Sequence, residues 1–172
     1  MSIMDGKVFL IKSDTDYAMR MLVFLALTDA ASPVTAAVLV EGQNIPVDFA
    51  YKILQKLRRA KILKSFKGVN GGFSLAKNPC DISLLEVVDA VQGRIIIRPC
   101  LLDDDNCVTA KPCPVSYKLQ KLQQNLDDEM RGITLAEIIQ GNSEKVHRYE
   151  IILISNIVGA EDEYVVLCQF GL

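Results

Sequence analysis

The sequence predicts a mainly α-helical protein with a small β wing. It reads as a winged helix-turn-helix DNA-binding unit, then a long dimerisation helix, then a β-prone C-terminal tail. Three observations predict this. Two helical patterns meet at a tight turn containing Gly42, and the second has a polar, basic outer face. A glycine-rich hairpin pattern follows directly. Later, Val115, Leu119, Leu122, Leu126 and Met130 recur at helical steps.

Charge distribution supports the first part of that reading. The 172 residues carry a net charge of −2, with half of them apolar. Residues 49–80 hold eight bases (Lys52, Lys56, Arg58, Arg59, Lys61, Lys64, Lys67, Lys77) and no acid. The rest of the chain sets eleven bases against twenty-one acids. Folding gives no reason to sort charges this way. A basic block on an acidic body is the electrostatic footprint of nucleic-acid binding, against the plainer alternative of a solvated lysine-rich helix.

The elements follow in order. SDTDYAMRMLVFLALTD reads as a helix capped by Ser13 or Asp14, with Tyr17, Met21, Phe24 and Leu25 at helical spacing. Its run MLVFLAL is too short to span a bilayer, and Asp14 and Asp16 stand where a signal peptide would be positive, so a cytoplasmic protein without membrane association is expected. A short helix is predicted over 35–41, before Gly42. In IPVDFAYKILQKLRRAKIL, Pro46 suits a first helical turn. Phe49, Ala50, Ile53, Leu54 and Leu57 form the inner face, and Asp48, Tyr51, Lys52, Gln55 and Arg59 the outer one. KILKSFKGVNGGFSLAK predicts a hairpin whose tip carries Lys67 and several glycines, so that its backbone can approach a minor groove closely.

DISLLEVVDAVQG contains a capping box, Ser83 to Glu86, opening a short helix that stops at Gly93. After Pro114 comes the long helix, whose narrow apolar stripe suits either packing within the chain or a dimer seam. TLAE, from Thr134, caps another short helix. In the tail, YEIILISNIV and YVVLCQF suggest a hairpin of no assigned function.

Between Gly93 and the long helix lies RPCLLDDDNCVTAKPCPVSYKL, with Cys100, Cys107 and Cys113 six and five residues apart. Zinc sites favour closer pairs and four ligands, and the only histidine, His147, is far along the chain. A disulfide framework suits neither a reducing compartment nor five cysteines. Reactive thiols and an iron–sulfur cluster remain. Asp103, Asp104 and Asp105 oppose thiol ionisation, while Pro99, Pro112 and Pro114 beside Cys100 and Cys113 suit cluster ligands. Cys80 and Cys168 read as structural.

These motifs resemble the Rrf2 family of bacterial winged-helix regulators, which has IscR-like and NsrR-like iron–sulfur members. The recognition-helix segment above, the wing SFKGVNGGFSL, the capped helices ISLLEVVDAVQG and ITLAEII, and the position of the three cysteines carry the resemblance, over residues 11 to 139. It implies a homodimer binding double-stranded DNA at a palindromic operator. DNA contacts would fall at Pro46, Asp48, Phe49, Tyr51 and Lys52, and at Lys67 and Gly68 in the wing. Lys67 stands where the family usually has arginine, keeping the charge but losing the planar fork.

The resemblance also implies a cluster, [2Fe-2S] or [4Fe-4S], on Cys100, Cys107 and Cys113. The histidine of IscR-like members is replaced by Ser116. In NsrR-like members a first-helix aspartate from the partner subunit resembles Asp16, within Thr15-Asp16-Tyr17-Ala18. The expected organisation is a DNA-binding domain over 1–93, a cysteine loop over 94–113, a dimerisation helix and short capped helix over 114–140, and an extension over 141–172. The expected function is transcriptional regulation, as a repressor whose operator affinity follows a cluster sensing redox, nitric oxide or iron status. The alternatives are the same regulator using cluster-free thiols, or a non-DNA-binding iron–sulfur or redox protein. No enzyme is expected, since CxxC pairs, a phosphate loop and a histidine base near Cys113 are all missing.

Overall fold

The structure is a computed structural model that describes residues 2–4, 7–28, 33–68, 71–101 and 113–141. A short antiparallel hairpin, β1 (Ser2–Met4) and β2 (Lys7–Phe9), leads into α1 (Ser13–Leu27). Then come α2 (Ala36–Val40), α3 (Val47–Arg59), β3 (Leu63–Phe66), β4 (Gly72–Leu75) and α4 (Leu84–Val91). The last described elements are α5 (Pro114–Gly132) and α6 (Leu135–Gln140). Single 3-10 turns lie at Pro79–Asp81 and Pro99–Leu101.

α3 forms because its apolar residues recur at helical spacing and Pro46 stops it at the N-cap. Ala50, Ile53, Leu54 and Leu57 are buried and Phe49 is half-buried, as the sequence pattern requires. They pack on Ala18, Met21 and Leu22 of α1, Leu39 of α2 and Val87 of α4. Leu135 and Ile139 of α6 join this same core, so the chain runs out along α5 and returns to the unit it left. Two helix starts sit side by side there. Leu84 N–H donates to Ile133 carbonyl and Leu135 N–H to Ile82 carbonyl, each at 2.8 Å. Thr134 and Glu137 complete a reciprocal capping box. At α4 the box is half made: the Ser83 hydroxyl accepts from Glu86 N–H, but the Glu86 carboxylate pairs with Lys77.

Neither Ser13 nor Asp14 caps α1. The N-cap is Lys12, and its side chain makes no capping bond. Gln92, at the end of α4, holds this start in place: its Oε1 takes the Lys12 N–H at 2.9 Å and the Thr15 hydroxyl at 2.7 Å, while its Nε2 donates to Leu10 carbonyl.

β3 and β4 pair antiparallel with Ser65 opposite Phe73. Val34 adds a bridge: its N–H donates to Phe73 carbonyl at 2.9 Å, and Phe73 N–H returns a bond to Val34 carbonyl at 2.8 Å. This places the Val34 backbone hard against Gly72, where a Cβ would lie 2.5 Å from the Val34 oxygen. Gly72→Ala is therefore expected to pull the wing off the helix pair and cost roughly 2 kcal/mol, measured by urea denaturation. The hairpin expected in the tail, Asp103 to Asp105 and Cys107 fall outside the described residues.

Candidate nucleic-acid interface

The outer face of α3 is built by exclusion, since its inner face is committed to the core. Asp48, Tyr51, Lys52, Arg58 and Arg59 are exposed, as is Pro46 at the N-cap. Asp48 stands in the first turn, where a carboxylate suits the helix dipole. Phe49 turns inward instead, its ring edge-on to Tyr17 with centroids 6.0 Å apart. Lys56 is also withdrawn, its ammonium donating to Val91 carbonyl at 2.6 Å.

Across from α3 stands the wing. Lys67 and Gly68 are exposed at its tip, and Gly68 has φ +105°, a conformation that excludes side chains of L-residues. Between helix and wing runs an open groove of about 580 Å³. One wall is Tyr51, Gln55 and Arg58, and the other is Ser65, Phe66 and Lys67. Tyr51 and Phe73 rings lie 6.4 Å apart at its floor. The sequence had placed Gln55 on the outer face without a contact role, and Arg58 only in the basic block.

The cysteine stretch is tethered at both ends. Cys113 is the N-cap of α5, half-buried and free. The backbone of Cys100 lies in the Pro99–Leu101 turn. Cys80, read from the sequence as structural, lies in the Pro79–Asp81 turn. Asp16 is half-exposed at the start of α1, 2.7 Å from Arg20. Among the described residues, no three His, Cys, Asp or Glu side chains gather at metal-binding spacing.

What joins the cysteine stretch to the DNA-binding core is the strap of residues 91–97. Its carbonyl at Val91 takes Lys56 of α3, and Gln92 holds the start of α1. Its other end is gripped by α5: Gln123 accepts from Ile97 N–H and donates to Ile95 carbonyl, each at 2.9 Å. Gln123 also donates to Asp127, which pairs with Arg94 at 2.7 Å. Burial pushes the Asp127 carboxyl upward, but hydrogen bonds from Arg94 and Gln123 outweigh it and hold the group below the usual range. Nearby Asp89 goes the other way, raised by burial and by Asp127 despite Arg94.

The stripe on α5 divides accordingly. Met130 is buried on Val88 and Ile95, with Leu126 packed beside them, whereas Val115 and Leu122 are exposed.

A helix pair with a solvent-facing basic helix, backed by a hairpin wing, defines a winged-helix DNA-binding regulator. A protein of this class is a transcription factor and not an enzyme. The chain belongs to the Rrf2 family, described as iron-dependent transcriptional regulators, which it matches over residues 11–141. A helix-turn-helix-type regulator candidate of Aquifex aeolicus is 30% identical over 145 residues, covering 83% of this chain and 99% of that one. The transcriptional regulator IscR of Vibrio vulnificus is 29% identical, covering 73% and 74%. Among solved structures, CymR, the global cysteine regulator of B. subtilis, superposes with a TM-score of 0.63 at 18% identity, covering 77% of this chain and 98% of that one. T. potens IscR gives 0.60 at 19%, covering 78% and 88%. These structures share the fold. Among the described residues, no helix is long and apolar enough to cross a membrane.

Proposed function

We propose that the chain is a homodimeric repressor whose operator affinity follows an iron–sulfur cluster held by Cys100, Cys107 and Cys113 with Asp16 of the partner subunit. The observation carrying this reading is the strap: the stretch bearing the cysteines leaves the DNA-binding core at residues 91–97, which α3, α1 and α5 all grip. The donor set suits the group. Cys113 is free at the start of a long helix, where the dipole favours an anionic ligand. Asp16 is half-exposed and, among the described residues, tied through an i,i+4 pair to Arg20, a surface contact of small worth that a metal can displace.

When bound, the cluster supplies redox and ligand-exchange chemistry. The protein supplies the linkage. Holding the three thiolates together fixes the far end of the strap, and the strap fixes α3 through Lys56. The exposed Val115 and Leu122 form the seam for a second copy, so that two recognition helices meet an imperfect palindrome with half-sites about one helical turn apart. Pro46, Asp48, Tyr51 and Lys52 face the major groove, with Lys67 and Gly68 at the minor groove and Phe49 setting the helix pitch. The units are the DNA-binding domain over 1–93, the cysteine loop over 94–113 and the pairing helix from 114, with α6 returning to the first of them.

Anaerobic reconstitution tests this, with absorption and EPR spectra, iron and sulfide analysis, and promoter binding of loaded and metal-free protein. A coloured dimer whose affinity changes roughly five- to 150-fold on metal loss is expected. Protein that stays colourless and iron-free, yet binds DNA according to thiol oxidation, would replace the cluster with thiol sensing.

A further inference from the structure

We infer that the groove between α3 and the wing is a phosphate cleft, and that Arg58 is its anchor. This deepens the DNA-binding reading and rests on it. A helix in the major groove and a wing in the adjacent minor groove are separated by one sugar–phosphate strand, which must pass between them. The groove, about 580 Å³ and open, lies along that path.

Its chemistry matches an anionic strand. Arg58 and Lys67 face it from opposite walls, and no carboxylate lines it. Among the described arginines, Arg20, Arg94 and Arg131 have carboxylate partners and lie elsewhere, and Arg58 is the one that lines the groove. Arg58 has no such partner among the described residues. Among the described residues its one hydrogen bond runs from Nε to the Gln55 Oε1 at 3.0 Å, one turn back on the same helix. That bond uses the inner edge of the guanidinium and orients the plane. Both Nη groups are left to grip a phosphate, a geometry lysine cannot reproduce. Ser65 and Tyr51 add hydroxyls on either side. Arg58 therefore positions the strand and reads no base, which separates it from the start of α3.

The test measures binding of the full chain to a duplex selected from a random library, and to a scrambled duplex of equal length, across a salt series. Each phosphate contact contributes roughly 0.9 to the slope of log affinity against log salt. Arg58→Ala is expected to make the slope shallower by about that amount and to weaken both duplexes alike, by on the order of tenfold. Arg58→Lys is expected to regain the slope but only part of the affinity. The side chain is exposed, and circular dichroism checks that each variant folds. An unchanged slope in Arg58→Ala overturns the assignment. So does a loss confined to the selected duplex, which would make Arg58 a base reader. Wild-type protein that enriches no duplex overturns the DNA-binding reading itself, and the cleft with it.

Discussion

Cys113→Ser is expected to abolish cluster assembly and, with it, any difference in operator affinity between reconstituted and metal-free protein. The substitution is unusually clean here. Cys113 is the N-cap of α5 but makes no side-chain cap bond. Serine is among the preferred N-cap residues, and gains of about 1 kcal/mol are typical of such positions. The variant should thus melt at the wild-type temperature or slightly above. A cysteine kept for packing would show the opposite: lost stability and intact colour. The decisive measurements are iron and sulfide content, the visible spectrum and DNA binding under anaerobic conditions. Full retention of a coloured cluster would remove Cys113 from the ligand set.

The second large effect is expected at Gln123, which is 6% exposed and serves three partners at once. Gln123→Ala strips a donor from Ile95 carbonyl and from the Asp127 carboxylate, both buried. Buried polar groups left unpaired cost about 1–3 kcal/mol each, so a loss of roughly 3 kcal/mol is expected in chemical denaturation. pH dependence separates this from simple cavity formation. In the wild type the Asp127 carboxyl is held low, so its contribution is present above the unfolded carboxylate pKa and disappears as pH falls through the lower folded value. Gln123→Glu reverses the trend. Two carboxylates would then share one site, raising the folded pKa of the pair. That variant should be weakest at neutral pH and regain stability as pH falls through the raised value. A parallel pH profile for wild type and Gln123→Glu would show that the clamp does not act through Asp127.

The recognition helix was legible because burial imposes its period directly on the sequence: Ala50, Ile53, Leu54 and Leu57 could only form one face. The wing and the two capped helices were legible through turn and cap chemistry, which is local. Long-range polar contacts were not. Gln92 reaches residues 77 to 82 positions away, and Gln123 reaches 26 to 28, and a glutamine carries no periodic signal of its partner. The same holds for Val34 against Phe73, a bridge of backbone atoms that any residue could supply. The expected caps at Ser13 and Asp14 fail because the helix begins earlier, with Lys12 as N-cap, whose carbonyl takes the Thr15 and Asp16 N–H groups. The β1–β2 hairpin did leave a local trace, Asp5-Gly6 between β-prone residues, a turn pair that favours tight hairpins. At the site, Tyr51, Lys52 and Lys67 were visible as exposed positions, while the inward turn of Phe49 depends on Tyr17, thirty-two residues earlier.

The bond between Gln92 and Thr15 has a consequence for how a dimer would report a signal. It couples the turn of α1 that carries Asp16 to the strap of its own protomer. In the proposed dimer, where Asp16 would serve the partner's cysteines, each strap would be wired to both loops, one by chain connectivity and one through α1. Damage to a single loop is then expected to disturb both half-sites of the operator together, so that such a dimer would answer as a unit instead of by halves.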